Sequence, residues 1–346
     1  MKILYGIQGT GNGHLSRGRA MAKHFAGSSA EVTYLFSGRP REKFFDMEPF
    51  GDFKLARGLT FYIEGGQISY IKTAFQNNPF QFIKEVYDLS IEDYDVIVTD
   101  FEPVSAWAGK LKGKQVISFG HQPAFRYNIP VEGGDWLAKQ VMDWFAPANT
   151  YIGLHWHHFN ANILPPIIHI DEPNNCEVQS NKILVYLPCE NHGDLPVVFK
   201  PFSDFEFYIY HPDHKEHKDE GNIHIRPQSL DGFQQDLHSA DSVICSAGFE
   251  LPSECIYLGK KLLVKPVVKQ MEQLSNALAL EQLKLGNRIT DLSTQTIQTW
   301  LDSSRDLSPV KYPDVAEALV QWITNGNWSE TEEMKQALWK NTPLPA

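Results

Sequence analysis

The sequence predicts an α/β protein of two doubly wound, Rossmann-like parallel-sheet domains facing each other across a cleft. Three observations predict it. Short apolar runs alternate with helix-period segments in both halves, the pattern of parallel sheets covered by helices. A glycine-rich segment, Gly9-Thr10-Gly11-Asn12-Gly13-His14, follows the first apolar run directly. The paired prolines of Leu164-Pro165-Pro166 divide the chain near its middle and favour an extended connection. At 346 residues the chain suits about two domains, and 42% hydrophobic content supplies a core for each.

In the first half, buried strands are expected over residues 3–7, 32–36, 96–99 and 116–119. The second half offers residues 183–187, 205–210, 242–245 and 262–265. These place one domain over 1–164 and another over 167–325, with 326–346 as a tail helix that returns toward the first domain. Ser329 and Glu332 have capping-box spacing at the start of that tail. Residues 58–82 are irregular and aromatic (Phe61, Tyr62, Tyr70, Phe75, Phe80), either a binding loop over a cleft or a packed one.

Charge narrows the function. The formal net charge is −11, from 31 basic and 42 acidic residues, which does not suit a protein whose main partner is a nucleic-acid backbone. It also disfavours adhesion of the whole surface to anionic lipid, while leaving room for a local patch at the inner membrane. The cysteines Cys176, Cys189, Cys245 and Cys255 contain no CxxC pair and are expected to be reduced, mostly buried thiols. The apolar run at residues 1–7 is too short for a signal peptide, and no later stretch approaches a membrane span, so a cytoplasmic location is expected.

The glycine segment joins the strand at 3–7 to a helix expected over about residues 15–25. Glycines there let backbone approach a ligand, and the helix N-terminus adds free N–H groups and a positive dipole end. A dinucleotide fingerprint competes, but G-x-G-x-G-H is one residue short of G-x-G-x-x-G. Ser37-Gly38-Arg39 after the second strand suits a 2′-phosphate, which keeps an NADP site open. His14 lies at the helix start, as a catalytic base or as a structural histidine. Asp100 ends another buried run on the same sheet edge, where it either orients His14 or caps the next helix.

The second half carries a denser constellation. A strand at 242–245 runs into Ser246-Ala247-Gly248-Phe249-Glu250, and Glu254 follows on a helix. After Gly259 and another strand come Pro266, Glu272-Gln273 and Asn276-Ala277. Such an order supplies N–H donors for a diphosphate, a carboxylate for ribose hydroxyls and an acid–amide pair for a sugar. The pattern G-x(5)-E…P…[DE]-Q-x-x-N-A, with Arg226-Pro227-Gln228 upstream, resembles the GT-B superfamily of glycosyltransferases. The first loop is similar to that of the N-acetylglucosaminyltransferase acting on the peptidoglycan lipid precursor. It is also similar to the G-H turn of natural-product UDP-glycosyltransferases, whose histidine is the base. Ile225 stands where the plant-type enzymes have a base-stacking aromatic, and Ser246 where a histidine often precedes the glycine turn.

The resemblance implies a GT-B-type hexosyltransferase-like enzyme that moves a sugar from a nucleoside-diphosphate sugar, UDP-linked, to an acceptor hydroxyl. It implies catalysis by His14 with Asp100, and diphosphate binding by Gly11, Asn12, Gly13, Ser246, Ala247, Gly248 and Phe249. Arg226, Gln228 and Glu254 would hold the nucleoside, and Glu272 and Gln273 the sugar. No Asp-x-Asp pair stands in a suitable place, so metal-independent, inverting transfer without a resident cofactor is expected. The acceptor, a glycan, a lipid-linked group or a small molecule, is left open. A GT-B epimerase or hydrolase, an NADP oxidoreductase and a non-catalytic sugar-nucleotide sensor are the rival classes.

Other polar clusters carry weaker signals. His211, His214 and His217 are expected on a solvated loop, and His155, His157 and His158 packed near the linker. Glu190-Asn191-His192 follows the first strand of the second half and would face the donor. Lys260 and Lys261 are either structural or a source of positive charge in the cleft.

Overall fold

A computed structural model describes residues 1–60, 63–64, 67–68, 77–134, 140, 143–169, 176–304, 308–340 and 342. The aromatics Phe61, Tyr62, Tyr70 and Phe75 lie outside the described residues, whereas Phe80 is 83% exposed.

The first sheet holds β1 (Lys2–Gln8), β2 (Glu31–Ser37), β3 (Lys54–Leu55), β6 (Val96–Asp100), β7 (Val116–Gly120), β8 (Thr150–Leu154) and β9 (Ile163–Leu164), in the order β3-β2-β1-β6-β7-β8-β9. Residues 63–64 and 67–68 form a separate antiparallel pair, β4 and β5. Every pairing in the first sheet is parallel. Strands β1, β6 and β7 are apolar because helices cover both faces, so almost every position is buried. The order reverses between β1 and β6, which pair with Ile7 opposite Asp100. A ligand crevice opens at such a switch point, beyond the carboxyl ends of the strands.

The second sheet repeats the plan. It holds β10 (Gln179–Tyr186), β11 (Glu206–Tyr210), β12 (Lys218–Glu220), β13 (Ile223–Arg226), β14 (Ala240–Ser246), β15 (Lys261–Lys265) and β16 (Asn287–Arg288). Its order is β12-β13-β11-β10-β14-β15-β16, with β12 the antiparallel edge. Here the switch lies between β10 and β14, with Tyr186 opposite Cys245. The eight expected strands are present, and the glycine segment and the Ser246 turn each leave a switch point.

Several local expectations need correction. Helix α1 spans Asn12–Ala26, so Asn12, Gly13 and His14 form its first turn rather than a loop before it. The tail helix is Glu332–Lys340, so Ser329 lies two residues before its N-cap position, and its hydroxyl donates instead to Asn327 Oδ1 at 3.0 Å. Cys176 and Cys189 are only partly buried, and all four thiols are free. Lys260 is structural, its ammonium donating to the carbonyls of His238 and Ala240 at 2.7 and 2.6 Å. Lys261 likewise donates to those of Trp300 and Ser303, both at 2.7 Å.

The tail crosses to the first sheet. The helix Val315–Asn325 packs on α1 next to a His24–Asp314 contact of 3.1 Å, and Trp339 Nε1 donates to the Ile163 carbonyl at 2.7 Å. A continuous apolar core joins residues of both sheets, including Ile7 and Val243, with Trp156 and Phe249 from the turns that follow β8 and β14.

Candidate active site

The three glycines of the first loop are small for different reasons. Gly9 donates its N–H to the Ser37 carbonyl at 2.7 Å, and a Cβ would sit 2.7 Å from that oxygen. Gly11 is the N-cap of α1, extended and without a side-chain cap, and its Cβ direction is open except for the His14 ring at 3.8 Å. Gly13 faces the other domain, where a Cβ would come within 2.8 Å of Glu250 Cγ. Asn12 is also committed across the cleft. Its Oδ1 accepts from Arg39 at 3.0 Å and its Nδ2 donates to the Tyr186 hydroxyl at 3.0 Å. Tyr186 in turn meets the side chain of Gln228, so one polar chain links the first loop to the Arg226-Pro227-Gln228 turn.

His14 and Asp100 are paired, with Nδ1 2.8 Å from Oδ1. Asp100 is fully buried and bound side-on by Arg17, through Nε at 2.7 Å and Nη2 at 2.6 Å. Burial alone would raise the Asp100 carboxyl, but Arg17 and His14 outweigh it and hold it at about 2. An ionised carboxylate only accepts hydrogen bonds, so His14 Nδ1 carries a proton toward it, and in the neutral imidazole Nε2 is the atom that holds the lone pair. Arg17 Nη2 is also 3.0 Å from Nδ1, but an acceptor role there would set two lone pairs against each other at Asp100.

Capping of the following helix, α3 (Pro103–Leu111; the helix Pro79–Asp88 is α2), falls to Glu102 instead. Its carboxylate accepts from Val104 N and Ser105 N at 2.8 and 2.7 Å, which frees Asp100 for His14. Between the two acids, Phe101 is held at φ 54°, a left-handed conformation unusual for a bulky residue. Its ring lies parallel to the His14 ring with centroids 6.5 Å apart. Backbone strain at this point turns the chain so that Asp100 faces α1 while Glu102 faces the next helix.

The second domain brings its glycine turn to the same place. Gly248 N donates to the Ser246 carbonyl at 2.8 Å, and the space where its Cβ would be is empty. The helix Glu250–Leu258 starts immediately afterwards, with Phe249 as its N-cap. Asn276 Nδ2 steadies the turn by donating to the Ala247 carbonyl at 3.0 Å, while its Oδ1 lies 2.6 Å from His121 Nε2. The His121 ring stacks on Phe249 with centroids 4.1 Å apart. His121 was not among the expected site residues, although it directly follows β7 (Val116–Gly120), at the same carboxyl edge of the sheet as Asp100.

Not every expected ligand contact converges here. Glu272 accepts from Gln122 Nε2 at 3.2 Å, beside His121. Gln273 spends its Oε1 on the Val267 amide at 2.9 Å, a structural role. Arg226 pairs with Asp219 at 2.6 Å and lies over the Tyr208 ring. Glu190 pairs with Lys265 at 2.5 Å, at the carboxyl end of β15. His211 is buried rather than solvated and lies against the rings of His192 and His214, whereas His217 is exposed. A cavity of about 600 Å³ opens beside Phe101, lined among others by Gln122, Tyr127, Tyr151 and Met271.

Two acids of the second domain are buried in the seam. Glu250 accepts from Arg17 Nη1, and Glu254 accepts from Ser16 Oγ at 3.3 Å. Burial pushes Glu250 up to about 7 and Glu254 up to about 8. An unfolded chain titrates such groups near pH ~4.3. Because the folded values are raised, the stability these groups lend is complete below that pH and is lost as pH rises through 7 and then 8. The protein is therefore expected to melt higher at about pH 5.5 than at about pH 8.5, and Glu254→Gln should flatten the slope. Thermal melting across that range measures it; equal slopes in both proteins would place Glu254 in water.

The chain matches the family model described as "Glycosyl transferase family 1" over residues 1–304. Among solved structures it is similar to the spinosyn rhamnosyltransferase SpnG complexed with thymidine diphosphate, at 13% identity and a TM-score of 0.57, covering 100% of this chain and 98% of that one. It is similar to the glycosyltransferase SnogD from Streptomyces nogalater at 14% identity and a TM-score of 0.55, covering 98% and 99%. A third similarity, to Arabidopsis thaliana UGT89C1 complexed with UDP, has 12% identity and a TM-score of 0.55, covering 97% and 99%. At these identities the likeness concerns the fold, which is GT-B. No curated protein matches the chain.

Proposed function

The chain belongs to glycosyl transferase family 1 and is a glycosyltransferase, and on that premise we propose how its two switch points divide the reaction. The second domain holds a nucleoside-diphosphate sugar, and the first presents an acceptor hydroxyl from the cavity beside Phe101. His14 Nε2 takes the hydroxyl proton as the oxygen attacks the anomeric carbon. The bond from that carbon to the diphosphate breaks, and the nucleoside diphosphate leaves. One displacement of this kind inverts the anomeric centre. The amides of the Ser246–Phe249 turn, with the helix end behind them, meet the charge gathering on the diphosphate. The backbone of Gly11, Asn12 and Gly13 closes on it from the other side. Arg226, Gln228 and Glu254 serve the nucleoside, and Glu272 the sugar.

The observation that carries this reading is the His14–Asp100 pair. It places Nε2, the basic nitrogen of the neutral imidazole, at the β1/β6 switch point, next to an open glycine turn at the β10/β14 switch point. Neither a resident cofactor nor a metal has a step in the scheme. Among the described residues no helix is long and apolar enough to cross a membrane. The proposed setting is the cytoplasm, with a peripheral approach to the inner membrane if the acceptor is lipid-linked.

A thermal-shift panel of UDP, TDP, GDP and their sugars tests donor binding. A ligand at a hundred times its dissociation constant stabilises by about 2.7 kcal/mol, so one nucleotide series is expected to raise the melting temperature clearly. No response to any of them, alongside a response to NADP, would overturn the donor assignment. Donor consumed at the same rate with and without acceptors would point to a hydrolase.

A further inference from the structure

Arg17 has no step in the scheme above, yet it is only 2% exposed and its guanidinium binds both domains. Nε and Nη2 hold the two oxygens of Asp100, at the end of β6, at 2.7 and 2.6 Å. Nη1 holds Glu250, the first residue of its helix in the second domain. Burying a guanidinium between two carboxylates is costly in desolvation, and an apolar seam would hold the domains together at least as well. Two backbone positions are nonetheless kept bare around it. A Cβ at Gly13 would sit 2.8 Å from Glu250 Cγ, and one at Gly120 would sit 3.1 Å from Asp100 Oδ1 and 3.3 Å from Arg17 Nη2.

The charges explain what such a cluster can do. Arg17 and Asp100 alone cancel, so His14 faces a balanced pair. Burial pushes Glu250 up to about 7, so above that pH, where it is ionised, docking of the second domain leaves the cluster with one excess negative charge beside the imidazole. A protonated His14 neutralises that excess. We propose that Arg17 is a positioning residue that relays docking of the second domain to the His14–Asp100 pair, through Glu250, so that the pair is armed to take a proton only while the domains are closed. Proton abstraction is thereby tied to the state in which the donor is enclosed and water is excluded. The inference rests on His14 as the base and deepens that reading. The other titratable groups around the cluster are Tyr5 on β1, Glu254 one helical turn beyond Glu250, Glu272 on Met271–Gln282, and His121 after β7.

The test is an NMR titration of the His14 ring nitrogens in the full chain without sugar or nucleotide, with the signal assigned by its loss in His14→Gln. Removing a nearby negative charge disfavours the imidazolium, so Glu250→Gln is expected to lower the His14 midpoint, by at most about one pH unit because Glu250 is partly protonated below about pH 7. Glu250→Asp keeps the charge but withdraws it from Nη1, and is expected to lower the midpoint by a smaller amount. Lysine lacks the planar fork that holds both Asp100 oxygens and Glu250 from separate nitrogens, so on an Arg17→Lys background Glu250→Gln should shift the midpoint by less than a third as much. An unchanged midpoint in both Glu250 variants would overturn the relay. So would an equally large shift on the Arg17→Lys background, which would mean that Glu250 acts on His14 without Arg17. Because no transfer is measured, loss of the glycosyltransferase scheme would show separately, as undiminished turnover in a His14 variant.

Discussion

Arg17→Met is expected to lower the free energy of unfolding near neutral pH by about 3–5 kcal/mol, the usual cost of stripping one partner from a buried ion cluster. The substitution removes the group that forks to Asp100, which is fully buried, and it takes from Glu250 the cation it binds. Methionine fills much of the volume, so the loss comes from two uncompensated carboxylates rather than from a cavity. The pH dependence separates these causes. In the native protein Asp100 is depressed to about 2, so its contribution is present above its unfolded value of about 3.9 and lost as pH falls through the folded one. Without Arg17 that contribution loses its larger source and keeps only His14, and the stranded acids can escape by protonation. The gap between the two proteins should therefore narrow as pH falls from about 7 toward about 4. Urea unfolding at both pH values measures it. Equal midpoints at pH ~7 would mean that water reaches the cluster and solvates it. Replacing Arg17, Asp100 and Glu250 together by apolar residues should recover most of the stability, since the whole cluster contributes less than its broken remainder loses.

What the sequence disclosed follows from what kind of signal each residue leaves. Parallel strands buried on both faces leave continuous apolar runs, so β1, β6, β7, β10, β14 and β15 were legible, as was the placing of His14 and Asp100 at one sheet edge. Strand β8, with Gly153 in it and Thr150 and Tyr151 half-buried, leaves only a broken run and was missed. The start of α1 was placed late because glycine argues against helix, whereas here Gly13 is helical so that Glu250 can approach. Arg17 was invisible for a different reason. A basic residue in Ser16-Arg17-Gly18-Arg19 on an otherwise amphipathic helix reads as a solvated face, whereas here it is buried between Asp100 of the first domain and Glu250 of the second. His121 left a trace, a polar residue immediately after a buried strand, but its partner Asn276 lies 155 positions away. Residues that join two domains are set by their packing, which no local pattern records.

His14→Ala is expected to reduce transfer by about 10²–10⁴-fold while leaving nucleotide-induced stabilisation unchanged. Its Nε2 makes no hydrogen bond among the described residues, and the contacts of the ring run through Nδ1 and the parallel face of Phe101. Loss of the ring therefore removes the proton acceptor without disturbing the Ser246–Phe249 turn, which Asn276 steadies from its own domain. Asp100→Asn is the sharper companion. An amide in place of the carboxylate can offer N–H to His14 Nδ1, which moves the ring proton to Nε2, the atom that must be bare. A loss in kcat comparable to that of His14→Ala, despite an intact imidazole, is the expected sign that the tautomer matters. The two losses should not add, because both variants remove the same base; the double variant is expected to fall no lower than His14→Ala alone. Initial rates with saturating donor, compared across the two single variants and the double variant, decide it. Additive losses would separate Asp100 from the histidine and return it to the role of a counter-ion for Arg17, and full activity in His14→Ala would move the base elsewhere in the cleft.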